Sequence, residues 1–280
     1  MKASLKIVPF LFFAASMLAC AGSLQYAHRF VMDETDIHVL VLPPPALIKT
    51  FSAEHPDSVP ASEFSGPDHP GAQFVGLVDD SLFIARFMHS LRYHLDLLHI
   101  NHYGPDQLDE FFSLEKPAYL FVLAQMELFE YQEEEVFVGR SGYTRYVGRT
   151  TISVLENNVW FEFMKRHDPD FEMEVLFGVH ATSDYVEGRF VRMRDGSVRF
   201  DPQRYPLSEE DLYDLAYFSA KQQAQNIFDH LLNVYLRERA GRDPGRYYHY
   251  DMEEHVIREK DHPPFIRITP PAGEEDEPQD

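Results

Sequence analysis

Histidine is the residue best placed to do chemistry in this chain, and its spacing decides which chemistry. His89, His94, His99 and His102 fall close together, and His99-x-x-His102 has a spacing at which two imidazoles can chelate a metal ion at a helix end. His89, His94 and His99 lie five apart, however, so on a helix they drift around the axis and share no face. His249, Asp251, Glu253, Glu254 and His255 could offer a second metal patch near the carboxyl terminus. Glu133-Glu134-Glu135 could attract a cation too, but successive strand residues point apart, and the run reads as a solvated edge that discourages aggregation. Ordinary surface or half-buried histidines account for the first group, and the general abundance of acids accounts for the second. Nucleophiles leave fewer traces. Ser141, in Gly139-Arg140-Ser141-Gly142, lacks the strand-to-helix context of a nucleophile elbow, and no His-Glu-x-x-His, phosphate-binding glycine loop or thiol pair occurs. Trp160, Phe161 and Phe163 read as packing. No catalytic residue, metal ligand or cofactor is assigned, and a site built from distant residues is the alternative.

Cys20 is the only cysteine. Lys2 and Lys6 precede an apolar run from Ile7 to Leu18 that is too short to span a bilayer, and Ala19 supplies the small residue a signal peptidase requires. Ser16-Met17-Leu18-Ala19-Cys20 resembles the lipobox of bacterial lipoproteins, in which the cysteine thiol is acylated and becomes the first residue of the mature chain. The common pattern prefers Leu three places and Ala or Ser two places before the cysteine, where this chain has Met17 and Leu18. Ala19-Cys20-Ala21 also satisfies the A-x-A rule for plain secretion, with cleavage before Gly22. A sole thiol is a liability in an oxidising compartment unless it is acylated, which favours lipidation of Cys20. The resemblance implies a palmitate-bearing anchor and a membrane as partner. Ala21, in place of the Asp of an inner-membrane retention signal, implies an outer-membrane lipoprotein facing the periplasm.

The formal charge of the chain is -21, and residues 1–19 contain two lysines and no acid, so a chain beginning at Cys20 is more acidic still. Phosphate backbones and anionic headgroups repel such a surface, which makes nucleic acid a poor partner. The hydrophobic content of 44% suits a packed core of one large domain or two small ones, and no heptad run or repeat period is visible.

The elements read as an α+β fold, with a mixed, mostly antiparallel sheet and two long helices packed on it. Ile37 to Leu42 forms a strand stopped by Pro43-Pro44-Pro45, and Ala53 to Gly76 is a polar loop. Asp79-Asp80-Ser81 caps a helix to about Leu98, with Ile84, Phe87, Met88, Leu91, Leu95 and Leu98 on one face. Pro105 to Phe112 is a shorter helix. Ala118 to Tyr131 is the strongest strand, and its run Tyr119 to Leu123 predicts a strand covered on both faces. Thr144 to Leu155 and Val159 to Lys165 read as a hairpin around Asn157-Asn158, and Tyr185 to Phe200 as another turning at Asp195-Gly196. Ser208-x-x-Asp211 opens a long helix that stops near Gly241. The expected organisation is a signal peptide at 1–19, anchor and tether at 20–35, an α+β domain at 36–240, an extension at 241–269 and a disordered acidic tail at 270–280.

This order of elements resembles the periplasmic α+β domain of the Tol-Pal translocation protein's amino-terminal part and of curli-secretion and related envelope-assembly lipoproteins. The likeness is carried by His38-Val39-Leu40-Val41-Leu42-Pro43, the Asp80 to Leu98 helix, Ala118 to Glu130 and Ser208 to Arg237, most of residues 36–237. The triple proline departs from that pattern, and Gln132 to Thr151 is too charged for the membrane hairpins of a curli-type pore. What the resemblance implies is a non-enzymatic scaffold that binds envelope proteins and is compatible with an oligomer. The alternative is an exported hydrolase or metal-binding protein. The loop Ala53 to Gly76 and the aromatic stretch Tyr247 to Tyr250 are the expected contact surfaces.

Overall fold

A computed structural model of the chain describes residues 23–32, 36–141, 143–168, 171–240 and 246–268. Cys20, the leader before it and the acidic end at 270–280 lie outside the described residues. Seven strands make the central sheet, in the order β11-β6-β5-β4-β1-β3, and β2 also pairs with β4. β1 (His38–Leu42) runs parallel to the start of β4 (Ala118–Ser141). Prolines 43–45 have no N–H to give a ladder, so pairing stops there. β2 (Leu47–Ser52) then resumes it, parallel to Met126–Tyr131 of the same strand. β3 (Asn101–Tyr103) lies parallel on the outer side of β1. On the other side β5 (Thr144–Lys165), β6 (Glu174–Ser183) and β11 (Ile266–Ile268) follow antiparallel.

A first helix, α1, occupies residues 23–32. α2 (Asp80–Leu97) starts as its sequence dictates, with Asp79 accepting the Leu82 N–H at 2.8 Å. α3 (Leu108–Ser113) is short. α4 (Glu209–Ala240) opens on the expected reciprocal cap: the Ser208 N–H donates to Asp211 at 2.7 Å, and the Asp211 N–H donates to Ser208 Oγ at 3.3 Å. α2 and α4 cover one face of the sheet, burying Phe83, Phe87, Leu91 and Leu95 of α2 and Leu215, Ile227 and Leu231 of α4 over Phe121, Leu123, Met126 and Leu128. α3 caps a smaller cluster on the opposite face, around Leu40, Tyr103, Phe111 and Ala118. The fold is therefore α+β.

Three expectations need correction. No hairpin turns at Asn157-Asn158: β5 runs straight through both residues, which pair with Leu128 and Glu127. Asn157 is fully buried and donates to Ser219 Oγ of α4 at 2.9 Å, so a polar side chain that signals a turn is here a sheet-to-helix bond. Nor is β4 covered on both faces through Tyr119–Leu123, because Leu120 and Val122 are only half-buried. A bulge between Leu123 and Gln125 then shifts the register, which keeps Leu123 and Met126 on the core side. Finally, Tyr247 to Tyr250 is no exposed tail. It is β9 (Tyr247–Asp251), paired with β10 (Val256–Lys260) and laid along α4, with Tyr248 buried. Asn233 holds it there by mimicking a strand, accepting the Tyr248 N–H at 2.9 Å and donating to the Tyr248 carbonyl at 2.8 Å.

Past Tyr131 the β4–β5 pair leaves the core as a two-stranded ribbon. β7 (Tyr185–Arg192) and β8 (Val198–Tyr205) form the expected hairpin, with Gly196 at φ 85 in its turn, and lie on one face of that ribbon. Glycine is required where they touch. A Cβ at Gly148 or Gly188 would come within 2.2 or 2.0 Å of the Phe200 ring, and one at Gly139 within 2.4 Å of Phe190. At the ribbon's root Glu130, with no exposure, accepts the N–H groups of Gln73, Phe74 and Val75 at 2.8, 2.9 and 2.9 Å. That carboxylate pins the end of the 53–76 loop, most of which is solvent-exposed.

Candidate functional site

A cleft lies where the starts of β1 and β4 and the end of β5 meet α4, and α1 forms its wall. Ala27 and Phe30 of α1 are buried, and the Phe30 ring packs edge-on to Phe228 at 5.4 Å and against Tyr235 at 5.3 Å. The cleft has a volume of about 550 Å³, within the range of small-ligand sites, and Ile37, Tyr119 and Tyr235 give it an apolar and aromatic floor. A second cavity of about 300 Å³ opens on the other side of Phe30, against Leu98, Phe228, Tyr250 and Met252. Phe30 is thus a wedge between two apolar spaces.

The charges on the rim are largely neutralised. Lys116 pairs with Asp36, and Lys165 lies 2.6 Å from Glu238 and 3.5 Å from Asp168. Arg239 stacks over the Tyr235 ring at 5.3 Å. Burial alone would lower the Lys165 pKa, but the hydrogen bond and charge of Glu238 outweigh it and hold the ammonium above its usual range. Burial, aided by Glu238, pushes Tyr119 up to about 12. Neither group is poised as a nucleophile or base near neutrality. The arrangement suits binding of an apolar or aromatic group.

Beside the cleft runs a chain of three polar groups. His38 Nε2 lies 2.8 Å from Asp36 Oδ1, out of hydrogen-bond alignment, and its Nδ1 lies 2.9 Å from the Tyr103 hydroxyl. Burial, and then the nearby Arg166 charge, lowers the His38 pKa, while burial raises that of Tyr103. With both neutral and the hydroxyl buried, the trio ties β1 to β3 more than it activates anything.

The histidines singled out from the sequence do not converge. His89 and His99 are exposed, and His99 takes a φ of 56 just past the end of α2. His94 is buried against Ser90, and His102 lies 3.0 Å from Asp96. In the second group His249 contacts Asp229 at 2.6 Å, Asp251 accepts the N–H groups of Glu253 and Glu254, and His255 contacts the Tyr250 hydroxyl. Among the described residues no three His, Cys, Asp or Glu side chains form a group that could hold a metal ion. Glu133 and Glu134 are exposed on β4 beyond the end of β2, and Glu134 pairs with Arg149 at 2.7 Å. Trp160 packs on Phe177 at 4.9 Å. Sequence reasoning missed the cleft because it read 20–35 as a tether. The spacing of Tyr26, Ala27, Phe30 and Val31 is the apolar signal that could have found α1.

No protein-family model matches this chain, and no curated protein matches it in sequence.

Proposed function

We propose that the protein is a non-enzymatic lipoprotein of the bacterial envelope, anchored through acylated Cys20, that scaffolds or binds other envelope components from the periplasmic side. The observation that carries this reading is the placement of its two ends. α1 starts within three positions of Cys20 and packs where β1 and β4 begin, so an anchor on Cys20 would set that end of the body against the membrane. The 24-residue β4 runs away from there, and its far end stands roughly 75 Å off at about 3.3 Å per residue. Such a molecule has a fixed base and a projecting arm, the shape of a spacer or connector. The resemblance in element order to envelope-assembly lipoproteins supports the same role, and the cleft beneath α1 gives it a place to receive an apolar side chain.

Cell fractionation tests the anchor. The wild-type protein is expected in the detergent-extracted membrane fraction, and Cys20→Ser should leave it unprocessed or release it. A wild-type protein that is processed and fully soluble would overturn the proposal.

A further inference from the structure

The end of the arm reverses the charge of the molecule. Residues 136–150 hold Arg140, Arg145 and Arg149 and no acid, and residues 187–201 hold four arginines against Glu187, Asp195 and Asp201, in a chain whose formal charge is -21. Both hairpins end here, since Phe190 and Phe200 pack on the last stretch of the ribbon shortly before the turns. Arg140 and Arg145 are directly opposite each other across the ladder, a like-charge pairing that costs stability, and neither has an ion pair among the described residues. On the same ribbon face, one pair further in, Val138 opposes Val147, with exposures of 48% and 51%, and Val136 beside them is exposed at 50%. Tyr143 stands fully exposed at the turn.

We propose that this tip is a docking surface for an anionic phospholipid bilayer. Charge complementarity selects a partner rich in negative groups. The apolar part selects between such partners: three exposed valines and a terminal tyrosine gain nothing from a hydrated acidic surface, whereas they gain at the boundary between headgroups and acyl chains, where arginine reaches phosphate and tyrosine is favoured. The stripe from Val136 to Arg140 covers roughly 13 Å, too short for a hydrocarbon core of about 30 Å and suited to shallow insertion. The acidic body is repelled by the same surface, so the tip meets it end-on. The opposed arginines, unfavourable in the free protein, become favourable once phosphates lie between them. This inference rests on the ribbon alone and holds whether or not Cys20 is acylated.

The test uses the full-length Cys20→Ser chain, which carries no acyl group, with vesicles of equal phosphatidylglycerol and phosphatidylcholine and vesicles of phosphatidylcholine alone. Sedimentation with the anionic vesicles is expected at low salt and should fall by roughly tenfold or more in Arg140→Glu/Arg145→Glu. That variant keeps a like-charge pair at the same exposed positions, so its melting temperature should match the parent and exclude misfolding. Tyr143→Trp should show a blue-shifted emission on the anionic vesicles only. Equal binding to both vesicles, or binding unchanged by the double variant, would overturn the proposal. So would arginine-dependent self-association without vesicle binding, which points to a second copy, or arginine-dependent retention on a soluble polyanion without vesicle binding, which points to an acidic macromolecule.

Discussion

Glu130 is the residue through which the loop after β2 is joined to the sheet. One carboxylate with no exposure accepts three consecutive backbone N–H groups. Glu130→Gln keeps the shape but leaves one carbonyl oxygen in place of two carboxylate oxygens, and should cost about 2 kcal/mol in urea unfolding. An unchanged midpoint would mean the loop end is held by packing alone. His94 gives a second residue-level test. Burial lowers its pKa from 6.5, Lys221 acts in the same direction, and the Ser90 carbonyl at 2.8 Å only partly opposes them. The unfolded chain therefore takes up the proton first as pH falls, so this contribution to stability is full above the unfolded value and is lost as pH drops through the lowered one. His38 and His230 shift the same way. The urea midpoint should drop between about pH 7.5 and 5.5, and the drop should be smaller in His94→Leu. Parallel pH curves for the two proteins would show that His94 is not among the groups responsible.

At the scale of elements, the arm stands on aromatic rings seated in glycines. Phe200 fills the space above Gly148 and Gly188 and stacks on Phe137 at 4.7 Å, and Phe190 covers Gly139. Phe200→Ala should remove about 3 kcal/mol from the docking of β7–β8. Because the loss is local, amide exchange should rise across 185–205 and hold steady in α2 and α4. Uniform deprotection would show that arm and core form one cooperative unit. The elements themselves were unevenly legible. α2 and α4 announced themselves through a cap and a 3.6-residue stripe, and Asp195-Gly196 through its turn chemistry. Asn157-Asn158 carried the same turn signal and misled, since only the tertiary partner Ser219 reveals that Asn157 belongs in a strand. β2 and β3 were invisible, because strands of six and three residues with mixed polarity are specified by the edge they join more than by their own pattern. The cleft was equally hidden. Its lining comes from α1, the residues just before β1 and β4, β4 and β5 themselves, and α4, and no local spacing brings Phe30 to Tyr235.

The whole molecule has an acidic, helix-covered body with α1 at one end and an arginine-tipped arm at the other. Composition alone reported only the average, a surface that repels anionic headgroups, and so concealed the cationic tip. The proposed role depends on which end is fixed to the membrane, and this depends on Cys20. Mass spectrometry of the mature amino terminus from cells decides it most directly. Anchoring at Cys20 predicts a chain beginning at that residue with the mass of a diacylglyceryl group and, in full maturation, an added amide-linked acyl chain. An unmodified chain beginning at Gly22 would contradict it, leaving a freely diffusing secreted protein with no fixed base from which the arm could project.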